Sequence, residues 1–343
     1  MAKTNPGRFF EDYTVGETIH HSVPRTVSGG ERALYHALYP ARHALYSSDM
    51  FARSCGLPAS PLDDMAAFHV IFGKTVPDIS LNALANLGYA EGRWRQPVWP
   101  GDTLRSRSEV IGLKQNSNGK SGVVWVRTRG MNQRDEVVLD YVRWAMVRKR
   151  DPESPAPETV IPNLARVVDP ADLVIPEGLD FSNYDFTLAG DTHRWGDYEL
   201  GEMIDHVDGV TVEEAEHMMA TRLWQNTAKV HFDATLREDG RRLIYGGHVI
   251  SMARALSFNG LANAQIIVGL NGGTHANPCY AGDTIKAWSE VLDKAETAAP
   301  GVGALRLRLV ATKGGMPFVL KDAEGRWRPE VLLDLDYWVL MPL

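Results

Sequence analysis

Apolar and polar residues alternate in several stretches of the chain, a pattern typical of strands with one buried face. Residues 304–313 read ALRLRLVATK, whose strict alternation predicts a half-exposed strand, and residues 121–130 read SGVVWVRTRG. Two further segments, 137–147 (VVLDYVRWAMV) and 331–341 (VLLDLDYWVLM), are rich in β-branched and aromatic residues and predict two more strands. The polar sequence QNSNGKSG at 115–122 predicts a turn.

Two segments predict buried helices instead. Residues 65–73 (MAAFHVIFG) are apolar almost all round, which is typical of a helix packed on every side. Ser60 followed by Pro61 predicts the N-cap and first turn of this helix, and the carboxylates at 63–64 suit its positive end. A second such helix is predicted at 248–258 (HVISMARALSF). A long buried helix wrapped by an antiparallel sheet is the simplest α+β architecture that satisfies both patterns.

The chain contains an internal duplication. Residues 10–21 (FEDYTVGETIHH) align with 195–206 (WGDYELGEMIDH), and 96–110 (QPVWPGDTLRSRSEV) align with 277–291 (NPCYAGDTIKAWSEV). The predicted strands at 137–147 and 331–341, which close the two copies, form a third pair. The offsets of the three pairs are 185, 181 and 194 residues. The spacing of these segments therefore differs between the copies only by small insertions and deletions.

This duplication predicts the domain organisation. The length of 343 residues allows two units of about 150 residues with cores of their own. Between the copies, residues 150–176 hold six of the nineteen prolines, which disfavour both helices and central strands. We expect an N-terminal unit at 1–149, a proline-rich connector at 150–194 that lies over the surface, and a C-terminal unit at 195–343.

Composition excludes several classes of function. The formal charge of −7 argues against nucleic acid as a partner, because phosphate binding needs a basic face. No apolar run approaches the ~18 residues of a membrane helix, so we expect no membrane partner. Cys55 and Cys279 lack a CxxC spacing, and the N-terminus lacks the apolar core of a signal peptide. A cytoplasmic location is expected.

Three segments carry a resemblance to a known family. Residues 97–104 (PVWPGDTL) and 278–285 (PCYAGDTI) resemble the PxxxGDTL strand start of the MaoC-like (R)-specific hydratases and dehydratases. Residues 211–233 resemble the helix of that family that leads into its DxNPxH motif. The resemblance implies a tandem (double) hot-dog fold and reversible hydration of an enoyl-CoA thioester.

The resemblance also assigns candidate catalytic residues. His231 stands at the catalytic histidine of the motif, and Asn226 stands where the family usually has an aspartate. An amide cannot accept a proton as a carboxylate can, so Asn226 is expected to position the water while His231 acts as the base. Asp233 is a further candidate, either as a partner at the substrate site or as a structural residue.

Gly246 and Gly247 precede the second buried helix. Unpaired N–H groups and the helix dipole favour an anion at such a position, which suits the oxyanion of a thioester. Gly247 stands at the oxyanion-hole glycine of the family. The alternative interpretation is that the pair forms only a tight turn.

The duplication provides an internal control. An offset of 185 places Ala41 opposite Asn226 and Tyr46 opposite His231, so the first copy has neither group. We therefore expect the second unit to be catalytic and the first to widen the binding cleft.

Other chemistry lacks support in the sequence. The remaining histidines show no metal-ligand spacing, and the chain has no GxSxG or phosphate-binding loop. We expect neither a metal nor a cofactor.

The preferred interpretation is a hydro-lyase that acts on a branched enoyl-CoA thioester, either a simple one or one derived from a dicarboxylic acid, whose acyl group then carries a free carboxylate. We expect a homodimer or larger homo-oligomer. Lys229, Arg222 and Arg42 are candidates for that carboxylate, without a preference. The alternatives are a hot-dog thioesterase that uses Asp63 or Asp64, and a non-catalytic acyl-CoA-binding protein.

Overall fold

A computed structural model describes residues 3–343. In this part of the chain, ten strands form one antiparallel sheet in the order β1-β3-β4-β5-β2-β7-β10-β9-β8-β6. The strands are β1 Thr18–Thr26, β2 Ala83–Trp94, β3 Thr103–Gln115, β4 Ser121–Met131, β5 Val137–Arg148, β6 Met203–Thr211, β7 Ile266–His275, β8 Thr284–Glu296, β9 Val302–Lys313 and β10 Val331–Pro342.

The helices follow the duplication. The α-helices are α1 Gly29–Leu38, α2 Ala44–Ser47, α3 Asp49–Ser54, α4 Asp64–Thr75, α5 Phe186–Ala189, α6 Glu214–Leu223, α7 Gly246–Leu256 and α8 Phe258–Leu261. Both α1 and α6 have ten residues, and they are separated by the same offset as the first pair of aligned segments. None of these helices combines the length and the apolar character needed to cross a membrane.

The two halves share the sheet. Strands β2 and β7 pair antiparallel at its centre, with Tyr89 opposite Gly273 and Arg93 opposite Gly269. The long helix of each half packs against that half's strands, α4 against β3 and α7 against β8 and β9. This is the α+β architecture of buried helices and antiparallel strands that the sequence predicts.

Helix α4 is buried along its whole length, as its composition predicts. The predicted start of this helix is wrong, because its N-cap is Asp63, whose carboxylate accepts a hydrogen bond of 2.9 Å from the Met65 N–H. The Leu62 N–H instead donates to the Val98 carbonyl at 2.7 Å. This contact keeps Leu62 outside the helix, which therefore begins after the Asp63 cap.

Strand β9 is more buried than its alternating sequence predicts. Only Arg306, Arg308 and Lys313 are partly exposed, and the two arginines pair with aspartates of β10 at 2.6 to 2.9 Å. Val302 and Ala304 lie under side chains from the 150–194 connector. The prediction of a half-exposed strand is wrong because other segments cover its outer face.

The connector between β5 and β6 contributes to the core. It forms no strand in the described chain, in keeping with its prolines, and it contains only short helical segments. Five of its side chains are nevertheless buried with α2 and α3 in a hydrophobic cluster, namely Val168, Leu179, Phe181, Tyr184 and Ala189. The expectation that it merely lies over the surface is therefore too simple.

Candidate active site

A cavity of about 370 Å³ lies between the two halves. The first half supplies one wall from the end of α4, the start of β2 and the middle of β5. The second half supplies the other wall from the segment between α6 and α7, the start of α7 and residues 275–279. The polar and aromatic lining residues are Phe72, Ser80, Asn86, Tyr89, Arg143, Asn226, His231, Tyr245, His275, Asn277 and Cys279. The volume is in the range of small-molecule sites.

His231 ends a short 3-10 turn, Lys229–His231, and is 8% exposed. Its Nδ1 lies 2.7 Å from the Leu243 carbonyl, and because a carbonyl can only accept, Nδ1 carries the proton. The lone pair is then on Nε2. Burial lowers the pKa of His231 to about 4, so the imidazole is neutral at physiological pH. This residue can therefore accept a proton in the cavity.

Asn226 lies in the same wall and is 2% exposed. Its Oδ1 accepts a hydrogen bond of 3.0 Å from the Ala228 N–H, which also fixes the orientation of the amide. Its Nδ2 has no hydrogen-bond partner among residues 3–343. Asn226 is thus arranged to donate a hydrogen bond to a water or substrate oxygen, and not to accept a proton.

Gly246 and Gly247 form the first turn of α7. The N-cap residue Tyr245 provides no side-chain cap, and neither glycine N–H has an intrahelical partner. A Cβ at Gly246 would lie 2.5 Å from His275 Cε1, and one at Gly247 would lie 2.4 Å from Tyr245 Cε1. Larger residues would therefore displace cavity-lining rings. Gly246 borders the cavity, whereas Gly247 is buried behind it.

Asp233 lies apart from this group. It is exposed, and its carboxylate caps the next 3-10 turn by accepting hydrogen bonds from the Thr235 N–H at 2.9 Å and the Thr235 hydroxyl at 2.6 Å. It does not line the cavity. The structure thus differs from the expectation of a substrate contact and gives Asp233 the structural role that the sequence left open.

The three basic residues proposed for a substrate carboxylate, Lys229, Arg222 and Arg42, are all exposed outside the cavity. The cavity contains Arg143 instead, which sequence reasoning missed because an arginine in a strand usually points to solvent. The internal repeat contains a signal for its burial. The offset of 194 residues between the third pair of segments aligns Arg143 with Tyr337, which is fully buried in the second half.

The corresponding region of the first half is filled. Tyr46 lies in a hydrophobic cluster with Leu45 and Phe51, and its hydroxyl donates to Asp64. Asp64 also accepts a hydrogen bond of 2.7 Å from the Ile267 N–H, and burial raises its pKa to about 8. Neither Asp63 nor Asp64 borders the cavity, which argues against the thioesterase alternative.

Buried histidines surround the site and support its geometry. His217 Nε2 accepts a hydrogen bond of 2.9 Å from the Tyr245 N–H, directly before α7. His69 Nε2 lies 2.8 Å from the Ser251 hydroxyl, which also accepts from the Tyr35 hydroxyl at 3.1 Å. Helices from both halves are therefore joined beneath the cavity by neutral hydrogen bonds.

These histidines predict a steep loss of stability in acid. Burial lowers the pKa of six histidines from 6.5 to about 3 or 4, namely His69, His206, His217, His231, His248 and His275. The unfolded chain binds these protons at higher pH than the native state, so stability present above pH 6.5 falls as the pH drops towards 4. Each histidine contributes roughly 1.4 kcal/mol per pH unit in that window.

Thermal unfolding followed by circular dichroism between pH 7 and pH 4 checks this prediction. Asp63 and Asp64 have raised pKa values and act in the opposite direction, but two carboxyl groups cannot balance six imidazoles. A melting temperature that stays constant down to pH 4 would contradict the assignment of these histidines as neutral.

Comparison with known proteins gives the family of the chain. Residues 1–316 match the family model for mesaconyl-CoA hydratase. The chain is 76% identical to a mesaconyl-CoA hydratase of Cereibacter sphaeroides and 59% identical to a β-methylmalyl-CoA dehydratase of Chloroflexus aurantiacus, with 99% of each chain covered in both cases.

Solved structures agree with this result. A MaoC domain protein dehydratase from Chloroflexus aurantiacus superimposes with a TM-score of 0.97 at 58% identity, covering 100% of this chain and 99% of the other. A Mycobacterium tuberculosis protein described as a double hotdog fold superimposes with a TM-score of 0.77 at 23% identity, covering 97% and 98%. The predicted tandem hot-dog fold is confirmed.

Proposed function

Since the chain belongs to the mesaconyl-CoA hydratase family, it is a hydro-lyase for an enoyl-CoA thioester, and we propose that it reversibly adds water to mesaconyl-CoA to give β-methylmalyl-CoA. One observation carries the proposal for the site: a neutral His231 lies in one cavity with a free amide donor of Asn226 and the unpaired first turn of α7. Such a set can activate water and stabilise the enolate-like charge of the thioester.

His231 acts as the base in this proposal. Its Nε2 takes a proton from a water molecule, whose oxygen forms the new C–O bond to the β carbon. The Asn226 Nδ2 donates to the same oxygen and fixes its direction. The imidazolium then returns its proton to the α carbon, so one water is added in total. A positioned base of this kind is typically worth about 10² to 10⁴ in rate.

The first turn of α7 stabilises the charge that develops on the thioester oxygen. Backbone N–H donors fixed in advance act strongly in a site that excludes water. The N-terminal end of the helix dipole adds to the attraction. Because Gly246 has no side chain, the thioester can approach these N–H groups closely.

The two units have different tasks in this proposal. Residues 195–343 carry the reacting groups, whereas residues 1–149 provide Phe72, Tyr89 and Arg143 as the opposite wall. Residues 150–194 connect the units. A homodimer or larger homo-oligomer and a cytoplasmic location stay predictions.

The purified protein should convert mesaconyl-CoA to a product heavier by one water, and much faster than it converts crotonyl-CoA. Enoyl-thioester absorbance gives the rate and mass spectrometry identifies the product. Release of free CoA would instead indicate a thioesterase. Tight binding without any turnover would favour the non-catalytic acyl-CoA-binding alternative.

A further inference from the structure

Arg143 is a cation inside the cavity wall. It lies in the middle of β5, is 0% exposed and borders the cavity. Its hydrogen-bond partners are all neutral: the Thr75 hydroxyl at 2.7 Å, and the Ser80 hydroxyl and Asn86 Oδ1 at 3.4 Å. Nε has no partner, and no ion pair within residues 3–343 includes Arg143.

Such an environment is unfavourable for a guanidinium by itself. A buried charge is costly unless it is paired and fully hydrogen-bonded. Hydrogen bonds of 3.4 Å lie beyond the usual range, so only the Thr75 contact is strong. Four of the five N–H donors of Arg143 are therefore weakly bonded or free. An anion entering the cavity would supply the missing partner.

A second donor at the same end of the cavity is also unsatisfied. Asn86 Nδ2 is buried without a hydrogen-bond partner, while its Oδ1 faces Arg143. The guanidinium carbon of Arg143 lies over the Phe72 ring, 4.4 Å from its centroid, so a cation–π contact supports the cation on that side. A planar carboxylate has two oxygens with which to bond both the amide and the guanidinium.

The other arginine buried near the site behaves differently. Arg254 in α7 donates to the Ala264 and Gln265 carbonyls and contacts His43 Nε2 at 2.8 Å and the Ser257 hydroxyl at 3.1 Å. It does not border the cavity. Its donors are used within the fold, so burial of an arginine in this protein does not by itself indicate a ligand.

We propose that Arg143 and Asn86 form a carboxylate subsite that binds the free acid group at the far end of the acyl chain and thereby selects dicarboxylic over monocarboxylic enoyl-CoA thioesters. This inference rests on the proposed hydratase function. It places the two ends of the acyl group on different halves of the chain, with the carboxylate on the first and the reacting double bond beside the second.

The test compares two substrates and two variants. Arg143→Gln should lower kcat/KM for mesaconyl-CoA by at least about 100-fold, the usual cost of removing one partner of a buried charge pair. It should change kcat/KM for crotonyl-CoA by less than tenfold, because crotonyl-CoA has no carboxylate. Arg148→Gln, an exposed residue at the end of the same strand, is the matched control and should change neither value. An equal loss on both substrates would mean that Arg143 is only structural and would overturn the proposal.

Binding of unreactive analogues separates this inference from the hydratase function. Wild-type protein should bind succinyl-CoA at least tenfold more tightly than butyryl-CoA in calorimetric titrations, and Arg143→Gln should remove that preference. Arg143→Lys keeps the charge and should retain part of it, which also covers the case of a glutamine variant that does not fold. Equal affinity of the wild type for both thioesters would refute the subsite, whether or not the protein hydrates mesaconyl-CoA.

Discussion

Replacing His231 with alanine is expected to lower kcat for mesaconyl-CoA hydration by about 10³-fold, within the range for loss of a positioned base. Asn226 cannot take over this role, because its Oδ1 accepts a hydrogen bond from the Ala228 N–H and its amide presents only a donor to the cavity. Initial rates followed by enoyl-thioester absorbance check this result. Thermal unfolding at pH 7 should show that the variant is folded.

Tyr46→Phe is the matched control for this variant. Tyr46 is the counterpart of His231 in the first half, is buried to a similar extent and lies outside the cavity. Losing its hydroxyl should leave most of the turnover, although the buried Asp64 loses a donor and stability falls. The opposite pattern, an active His231→Ala and an inactive Tyr46→Phe, would place the chemistry in the first half.

Replacing Gly73 with alanine is expected to impair both stability and catalysis. Gly73 lies near the end of α4, and a Cβ there would be 1.9 Å from the Trp224 carbonyl oxygen and 3.4 Å from the Asn226 nitrogen. The segment that carries Asn226 would have to move by about 1 Å, and such misplacement can cost about 100-fold in rate. Overpacking should lower the free energy of unfolding by about 1–3 kcal/mol.

Gly29→Ala separates the steric effect from the general preference of helices for alanine. Gly29 begins α1, and nothing lies within 4 Å of a Cβ at this position. Alanine should be neutral or slightly stabilising there, since it favours helices by up to about 1 kcal/mol over glycine. Measurements of kcat and of chemical unfolding for both variants provide the comparison. A Gly73→Ala enzyme with normal kcat would show that the position of the Asn226 segment does not limit the rate.

The sequence predicts much of this architecture because the repeat acts as an internal alignment. The paired segments at 10–21 and 195–206 become the same 3-10 turn and edge strand in both halves. The family motif identifies His231 and Asn226, and both border one cavity. Gly246 borders the same cavity, whereas Gly247, which stands at the family's oxyanion-hole position, is buried behind it.

The sequence does not predict features that depend on contacts between segments far apart in the chain. The burial of Arg143 follows from packing of β5 against α4, which a strand pattern does not reveal. Asp233 caps a turn whose geometry depends on the chain beyond the motif. The start of α4 lies later than the sequence predicts, because the Leu62 N–H bonds to the Val98 carbonyl, in a segment far away in sequence. In each case tertiary structure overrides the local signal.

The filling of the first half's counterpart site has an evolutionary consequence. In a symmetric dimer of single hot-dog chains, every substitution appears in both sites at once, so a change that improves substrate recognition is also imposed on the catalytic wall. Here the wall with Arg143 and the wall with His231 are encoded by separate stretches of one gene product. Recognition and chemistry can consequently mutate independently, and such uncoupling allows a new acyl specificity to arise without loss of the reaction.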